Sequence, residues 1–167
     1  VENGVYAGKT INELVTVYHE DFIGKSVYKK YKGEFPLLIK FIDAKKPLSI
    51  QVHPNDQLAK ERHNSFGKNE MWYIMPSFED ATITVGFNQE IDKESYQEHL
   101  KNNTLTDVLN EIKVNEGEAF YIPTGRIHAI GKGVVLAEIQ QSSDVTYRIY
   151  DYDRKDAVTG KKRQLHT

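Results

Sequence analysis

The chain contains no cysteine. That one absence excludes disulfides, thiolate metal sites and cysteine nucleophiles. It fits a reducing compartment, and the cytoplasm is the expected location. No apolar run approaches the ~20 residues that a membrane-spanning helix needs, so no membrane partner is expected. No signal peptide is visible at the start, which opens on Val1 and polar residues. Neither sign of charge dominates: 22 Lys and Arg stand against 24 Asp and Glu, a formal net charge of −2. Nucleic-acid-binding domains are usually basic, so no nucleic-acid partner is expected. The short basic run Lys161, Lys162 and Arg163 reads as a solvated tail, and nothing points to a protein partner. What is present is an ordinary globular balance. The 167 residues are 39% hydrophobic and 28% charged, enough for one domain with a real core.

Local patterns divide the chain. Thr10 and Glu13 form a capping-box signature before a short helix. Residues 25 to 34, rich in Lys, Tyr and Gly, read as a loop. The apolar run from Phe35 to Ala44 reads as a buried strand. Leu48 to His53 alternates, which would put Leu48, Ile50 and Val52 on one face and Ser49, Gln51 and His53 on the other. Residues 54 to 69 are polar and read as a loop with one helical turn. Strands follow at Glu70–Met75 and Ala81–Phe87. Asp92 caps an expected helix to Leu100, and Thr104 to Asn110 has the spacing of a second short helix. Strands resume at Ala119–Ile122, Val134–Gln140 and Thr146–Tyr150. Short strands with turn signals between them predict a mainly β sandwich or barrel, with a small helical insertion around 92–110.

Two of the six histidines stand in informative places. Gln51 and His53 lie two apart on a strand, so a pleated backbone delivers both to one point. Glu70 opens the next strand, where its carboxylate can meet them. His128 follows a strand and the turn Pro123-Thr124-Gly125, whose Pro and Gly re-aim the backbone. Taken singly, each histidine is more often an ordinary core or surface side chain; together they make a donor set. Two imidazoles, a carboxylate and an amide oxygen suit Zn²⁺ with a water, or divalent iron or manganese. His19, His63, His99 and His166 lack such a context and read as surface residues.

Four stretches carry a resemblance to a known family. They are Leu48–Pro54, Lys68–Trp72, Tyr121–Ile130 and Ala137–Arg148. The spacing of Gly117, Pro123, Gly125 and His128 is similar to the second motif of the cupin superfamily, with Lys132 where that motif usually has Asn. In order and content the four stretches resemble type I mannose-6-phosphate isomerase in its short bacterial form. The resemblance runs from about Val5 to Arg154. It implies a cupin-type double-stranded β-helix (a jelly-roll barrel) holding one Zn²⁺ per chain on Gln51, His53, Glu70 and His128. It implies interconversion of mannose 6-phosphate and fructose 6-phosphate through a cis-enediol, with a small sugar phosphate as the only partner. Lys68, Glu138 and Arg148 take catalytic roles by position, and Ser49 and Arg154 take substrate-binding roles. Glu138 is the preferred proton-transferring base and Lys68 its competitor.

Each role has a structural rival. Glu138 could orient a ligand, Arg148 could pair with Asp144 or Asp151, Arg154 could be a solvated charge, and Ser49 a strand serine. Trp72 and Tyr73 read as core. A cupin iron oxygenase and a non-catalytic sugar-phosphate-binding cupin use similar ligands and are the alternative functions. The family also carries N-terminal strands and a C-terminal domain. Residues 1–167 are therefore expected to form a single cupin-like catalytic domain that is a fragment lacking both.

Overall fold

The computed structural model describes residues 1–155 and 159–167. The chain forms two compact units, Val1–Leu38 and Ile39–Thr167.

The first unit is helical. α1 (Ile11–Tyr18) starts at the expected capping box: the Glu13 amide donates to Thr10 Oγ1 at 3.1 Å, and the Thr10 amide donates to Glu13 Oε2 at 2.7 Å. It buries Leu14 and Val15. α2 (Glu20–Ile23) follows. α3 (Lys25–Tyr31) then occupies the stretch expected to be a loop. Val27, Tyr28 and Tyr31 are its half-buried residues. That i, i+1, i+4 stripe between lysines is a helical pattern that overall polarity concealed.

The second unit is mainly β, as expected. Its strands are β1 (Leu37–Asp43, whose first two residues belong to the first unit), β2 (Ile50–Val52), β3 (Glu70–Ile74), β4 (Thr82–Phe87), β5 (Leu109–Lys113), β6 (Ala119–Ile122), β7 (His128–Ile130), β8 (Val135–Gln141) and β9 (Tyr147–Tyr150). They build a four-stranded sheet in the order β1-β8-β3-β6 and a five-stranded sheet in the order β5-β4-β7-β2-β9. The cupin-type reading holds, with two antiparallel sheets that are left open rather than closed into a barrel.

One core cluster contains Trp72, Ile74, Ile83, Ile122, Ile130 and Leu136. The other contains Ile50, Leu105, Val108, Leu109, Ile127 and Ile149. Fully burying such a side chain is worth about 1.5–3 kcal/mol, so Leu105, Val108 and Leu109 anchor the inserted segment firmly. That insertion holds α5 (Lys93–Lys101), capped by Asp92 Oδ1 accepting from the Ser95 amide at 2.8 Å, and a 3-10 turn at Leu105–Val108.

Four further local expectations change. The second inserted helix stops at Val108, because Leu109–Lys113 alternates and pairs with β4. The stretch 54–69 contains a helix of 8 residues, α4 (Asp56–His63), where Asn55 Oδ1 accepts from the Leu58 amide at 2.9 Å. β1 forms but is not buried, because it is an edge strand whose outer side is open. A register shift between Ile50 and Gln51 breaks the common face expected for Leu48, Ile50 and Val52. Leu48 packs against the first cluster, and the other two belong to the second.

Candidate metal centre

A strand pairing, a turn and a close backbone approach set the site. Antiparallel pairing puts Gln51 opposite His128, and antiparallel partners share a face. The turn before β7 is fixed by the Gly125 amide donating to the His53 carbonyl at 2.9 Å, with Gly125 at φ 82. That left-handed conformation suits glycine, and it brings the end of β2 and the start of β7 together. Lys68 and Glu70 are placed by a close approach behind them. The Gly67 amide donates to Asp56 Oδ1 at 2.8 Å, and a Cβ on Gly67 would lie 2.6 Å from the Asp56 nitrogen.

The result is a buried cluster. One ligand atom from each of His53, Glu70 and His128 falls within 4.8 Å of the others. The two Nε2 atoms stand 3.2 Å apart. Glu70 Oε1 is 3.2 Å from His53 Nε2, and Oε2 is 3.8 Å from His128 Nε2. Each Nδ1 faces a backbone carbonyl instead, Val145 for His53 at 3.1 Å and Arg126 for His128 at 2.8 Å. Both Nδ1 atoms therefore carry the proton, and both Nε2 atoms present lone pairs to the same point. Gln51 completes the set, with its amide 3.4 Å from His128 Nε2. A half-turn of that amide presents Oε1. Two facing lone pairs repel each other unless a cation lies between them. Glu70 Oε1 is likewise buried with no well-formed hydrogen bond. The residues present thus fit a divalent metal ion.

Electrostatics agree. Burial pushes the Glu70 carboxyl up, but the neighbouring His53 imidazole and the Lys68 ammonium outweigh it and hold Glu70 down at about 2. Burial, reinforced by His53, pulls His128 down to about 4. At neutral pH the cluster therefore offers an ionised carboxylate and an unprotonated imidazole, the forms that bind metals.

Lys68 sits inside the cluster, buried, with Nζ 2.8 Å from Glu70 Oε1 and 3.2 Å from His53 Nε2. Glu138 is one residue removed. The Trp72 indole N–H donates to both Glu70 Oε2 at 3.1 Å and Glu138 Oε2 at 3.2 Å, while Lys40 Nζ lies 2.8 Å from Glu138 Oε1. Trp72 is core, as expected, whereas Tyr73 points to the opposite side of β3 and is exposed; Trp72 also links the two carboxylates. The Trp72 link depends on the pairing of Trp72 with Glu138 across β3 and β8, and the Lys40 contact on β1 lying beside β8.

The other expected residues border a cleft of about 610 Å³ that opens beside Gln51. Ser49, Arg148 and Arg154 line it, together with Lys46 and His166. Arg148 pairs with neither Asp144 nor Asp151; its NH1 donates to the Gln164 carbonyl at 3.1 Å. Asp151 is buried and binds both Arg154 and Arg163. Burial raises its carboxyl, and the two guanidiniums more than reverse this. Arg154 also reaches the Pro47 carbonyl, at 2.5 Å. Arg163, read as part of a solvated tail, is instead anchored here. His166, read as an isolated surface residue, is bonded to the Arg148 backbone.

Comparison with known proteins agrees with the geometry. Residues 1–82 match the family described as phosphomannose isomerase type I, catalytic domain. The chain is 45% identical to mannose-6-phosphate isomerase ManA of Bacillus subtilis over 168 residues, covering 99% of this chain and 51% of that protein. It is 43% identical to mannose-6-phosphate isomerase of Streptococcus mutans, covering 99% of this chain and 50% of that protein. The crystal structure of the mannose 6-phosphate isomerase from Bacillus subtilis superposes with a TM-score of 0.87 at 39% identity, covering 99% of this chain and 51% of that one. The chain spans about half the length of the relatives it matches. By sequence and by fold, the resemblance to type I mannose-6-phosphate isomerase read from four motifs extends along nearly the whole chain.

Proposed function

We propose that this chain carries the catalytic site of a zinc-dependent aldose-ketose isomerase that interconverts mannose 6-phosphate and fructose 6-phosphate. One observation carries the reading: Gln51, which lies beside the buried His53-Glu70-His128 cluster, also lines a cleft bordered by Arg148 and Arg154. We assign one zinc ion to this set, because two imidazoles and hard oxygen donors suit it. We place the reaction in the cytoplasm, consistent with a chain free of cysteine. No described helix is long and apolar enough to cross a membrane.

A metal ion held by Gln51, His53, Glu70 and His128 would supply Lewis-acid polarisation of the substrate oxygens. The remaining work falls to side chains. A base must take the proton from C2 of the open-chain aldose and return it to C1, giving a cis-enediol between the two transfers. Glu138 is our choice for that base. Its buried carboxylate is kept beside Glu70 by the shared Trp72 N–H, and Lys40 balances its charge. A specific observation favours a second candidate, Lys68, whose buried Nζ already touches two metal-site atoms. The planar guanidinium of Arg148 suits either the enediolate oxygens or the phosphate. Ser49 and Arg154, on the same cleft, are assigned to the phosphate. Holding a dianion at one end keeps the reacting carbons in register.

A coupled isomerase assay with chelator and then with added Zn²⁺ tests the reading, alongside metal analysis of protein purified without supplement. Activity should vanish and return, and zinc rather than iron should be found. Glu138→Gln should lower the rate by about 10²–10⁴-fold with zinc retained. If Glu138→Gln is nearly wild type and Lys68→Gln is not, Lys68 is the base. Oxygen consumption with bound iron would instead identify an oxygenase. Tight sugar-phosphate binding without turnover would identify a sensor.

A further inference from the structure

One row of residues crosses the five-stranded sheet. His128 on β7 faces Gln51 on β2, and Gln51 faces Arg148 on β9. Directly opposed residues of antiparallel strands lie on one face, so the row leads from the metal centre to the cleft. β9 is the edge of this sheet, and an edge strand presents unpaired amides and carbonyls. At Arg148 they are not unpaired. The His166 amide donates to the Arg148 carbonyl at 2.8 Å, and the Arg148 amide donates to His166 Nδ1 at 3.0 Å. The imidazole thus stands where a neighbouring strand's carbonyl would be, and it extends the row by one member. One residue pair away, the Gln164 carbonyl accepts from Arg148 NH1 at 3.1 Å.

The same segment is anchored at its start. Arg163 Nε donates to Asp151 Oδ2 at 2.7 Å, and a second bond runs to Oδ1. Asp151 is 4% exposed and also binds Arg154, which reaches back to Pro47 in the connection before β2. Arg148, Arg154, Arg163 and His166 all border the one cleft. Arg148 has a long side chain, and its Nε is buried without a hydrogen-bond partner. Its direction is therefore set by NH1 and by its backbone, and the segment 163–166 controls both.

We propose that residues 163–166 form a wall of the substrate site, in which His166 is a positioning residue for Arg148 and Asp151 is the anchor. This rests on the functional reading above, through the role given to Arg148. The segment was invisible in the sequence because its partner is 18 positions away.

The test compares His166→Ala with His166→Asn, whose side-chain oxygen restores an acceptor. His166 is exposed, so neither change puts the core at risk. His166→Ala should lower kcat/KM for mannose 6-phosphate by about tenfold or more, with metal content unchanged. His166→Asn should recover most of it. On an Arg148→Ala background, His166→Ala should add almost nothing, since both changes remove one device. Full additivity, or wild-type kcat/KM in His166→Ala, overturns the proposal. A loss that tracks lost metal and is not rescued by Asn overturns it as well. If the unmodified chain shows no turnover, the functional reading fails separately. Positioning is then read from calorimetric binding of inorganic phosphate to the zinc-loaded chain. His166→Ala must weaken that binding, and must not weaken it further without Arg148.

Discussion

At the scale of single residues, the centre combines groups whose proton equilibria are strongly displaced by their surroundings. His128 falls from 6.5 to about 4, chiefly through burial. Glu70 falls from 4.5 to about 2, because His53 and Lys68 outweigh burial. Both shifts mean that the unfolded chain binds protons more readily than the folded one. Stability is therefore full above about pH 6.5. It declines as pH falls toward 4, where unfolded His128 takes up a proton that the fold resists, and it declines again from about 4.5 toward 2 through Glu70. Urea titrations of the chelated protein at several pH values between about 7.5 and about 4.5 measure this. A midpoint that is flat over that range contradicts the His128 assignment. Metal affinity should weaken over the same range, since the ligands must be unprotonated to bind.

At the scale of elements, local signals were legible where one element satisfies itself. Thr10 with Glu13, and Asp92 with Ser95, announce helix starts because a cap needs only its own first turn. Strand alternation picked out Gln51 and His53 for the same reason. What stayed hidden depends on neighbours. The buried state of Lys68 follows from the close approach at Gly67, and the alternation of Leu109–Lys113 has meaning only beside β4. β1 shows the reverse error. Its apolar composition promised burial, yet Ile39 is 57% and Phe41 76% exposed, and Met71, Tyr73 and Tyr121 continue the apolar outer side of that sheet. An open edge beside an apolar face favours self-association. Ile39→Lys and Phe41→Lys should each shift the isolated chain toward monomer in sedimentation at high concentration, with the metal site unaffected. Unchanged association would remove this face from consideration.

At the scale of the whole chain, the site draws on parts far apart in sequence. Gln51 comes from β2 and His53 from the residue just after it, Glu70 from β3, His128 from β7, Glu138 from β8 and Arg148 from β9. Their roles are proposed from short motifs that resemble a known family. Their second contacts were not legible there, because Lys40 to Glu138, Arg163 to Asp151 and His166 to Arg148 carry no motif and exist only after the sheets pair. One such contact has a practical consequence. Trp72 is the single tryptophan of the chain, and its indole N–H is divided between Glu70 and Glu138. A cation drawing on the Glu70 carboxylate shifts that sharing toward Glu138 and alters the electric field across the indole. The chain thereby contains its own optical gauge of metal loading: the emission colour and intensity of one fluorophore should titrate with zinc and reverse with chelator, and emission indifferent to zinc would argue that Glu70 is not a ligand.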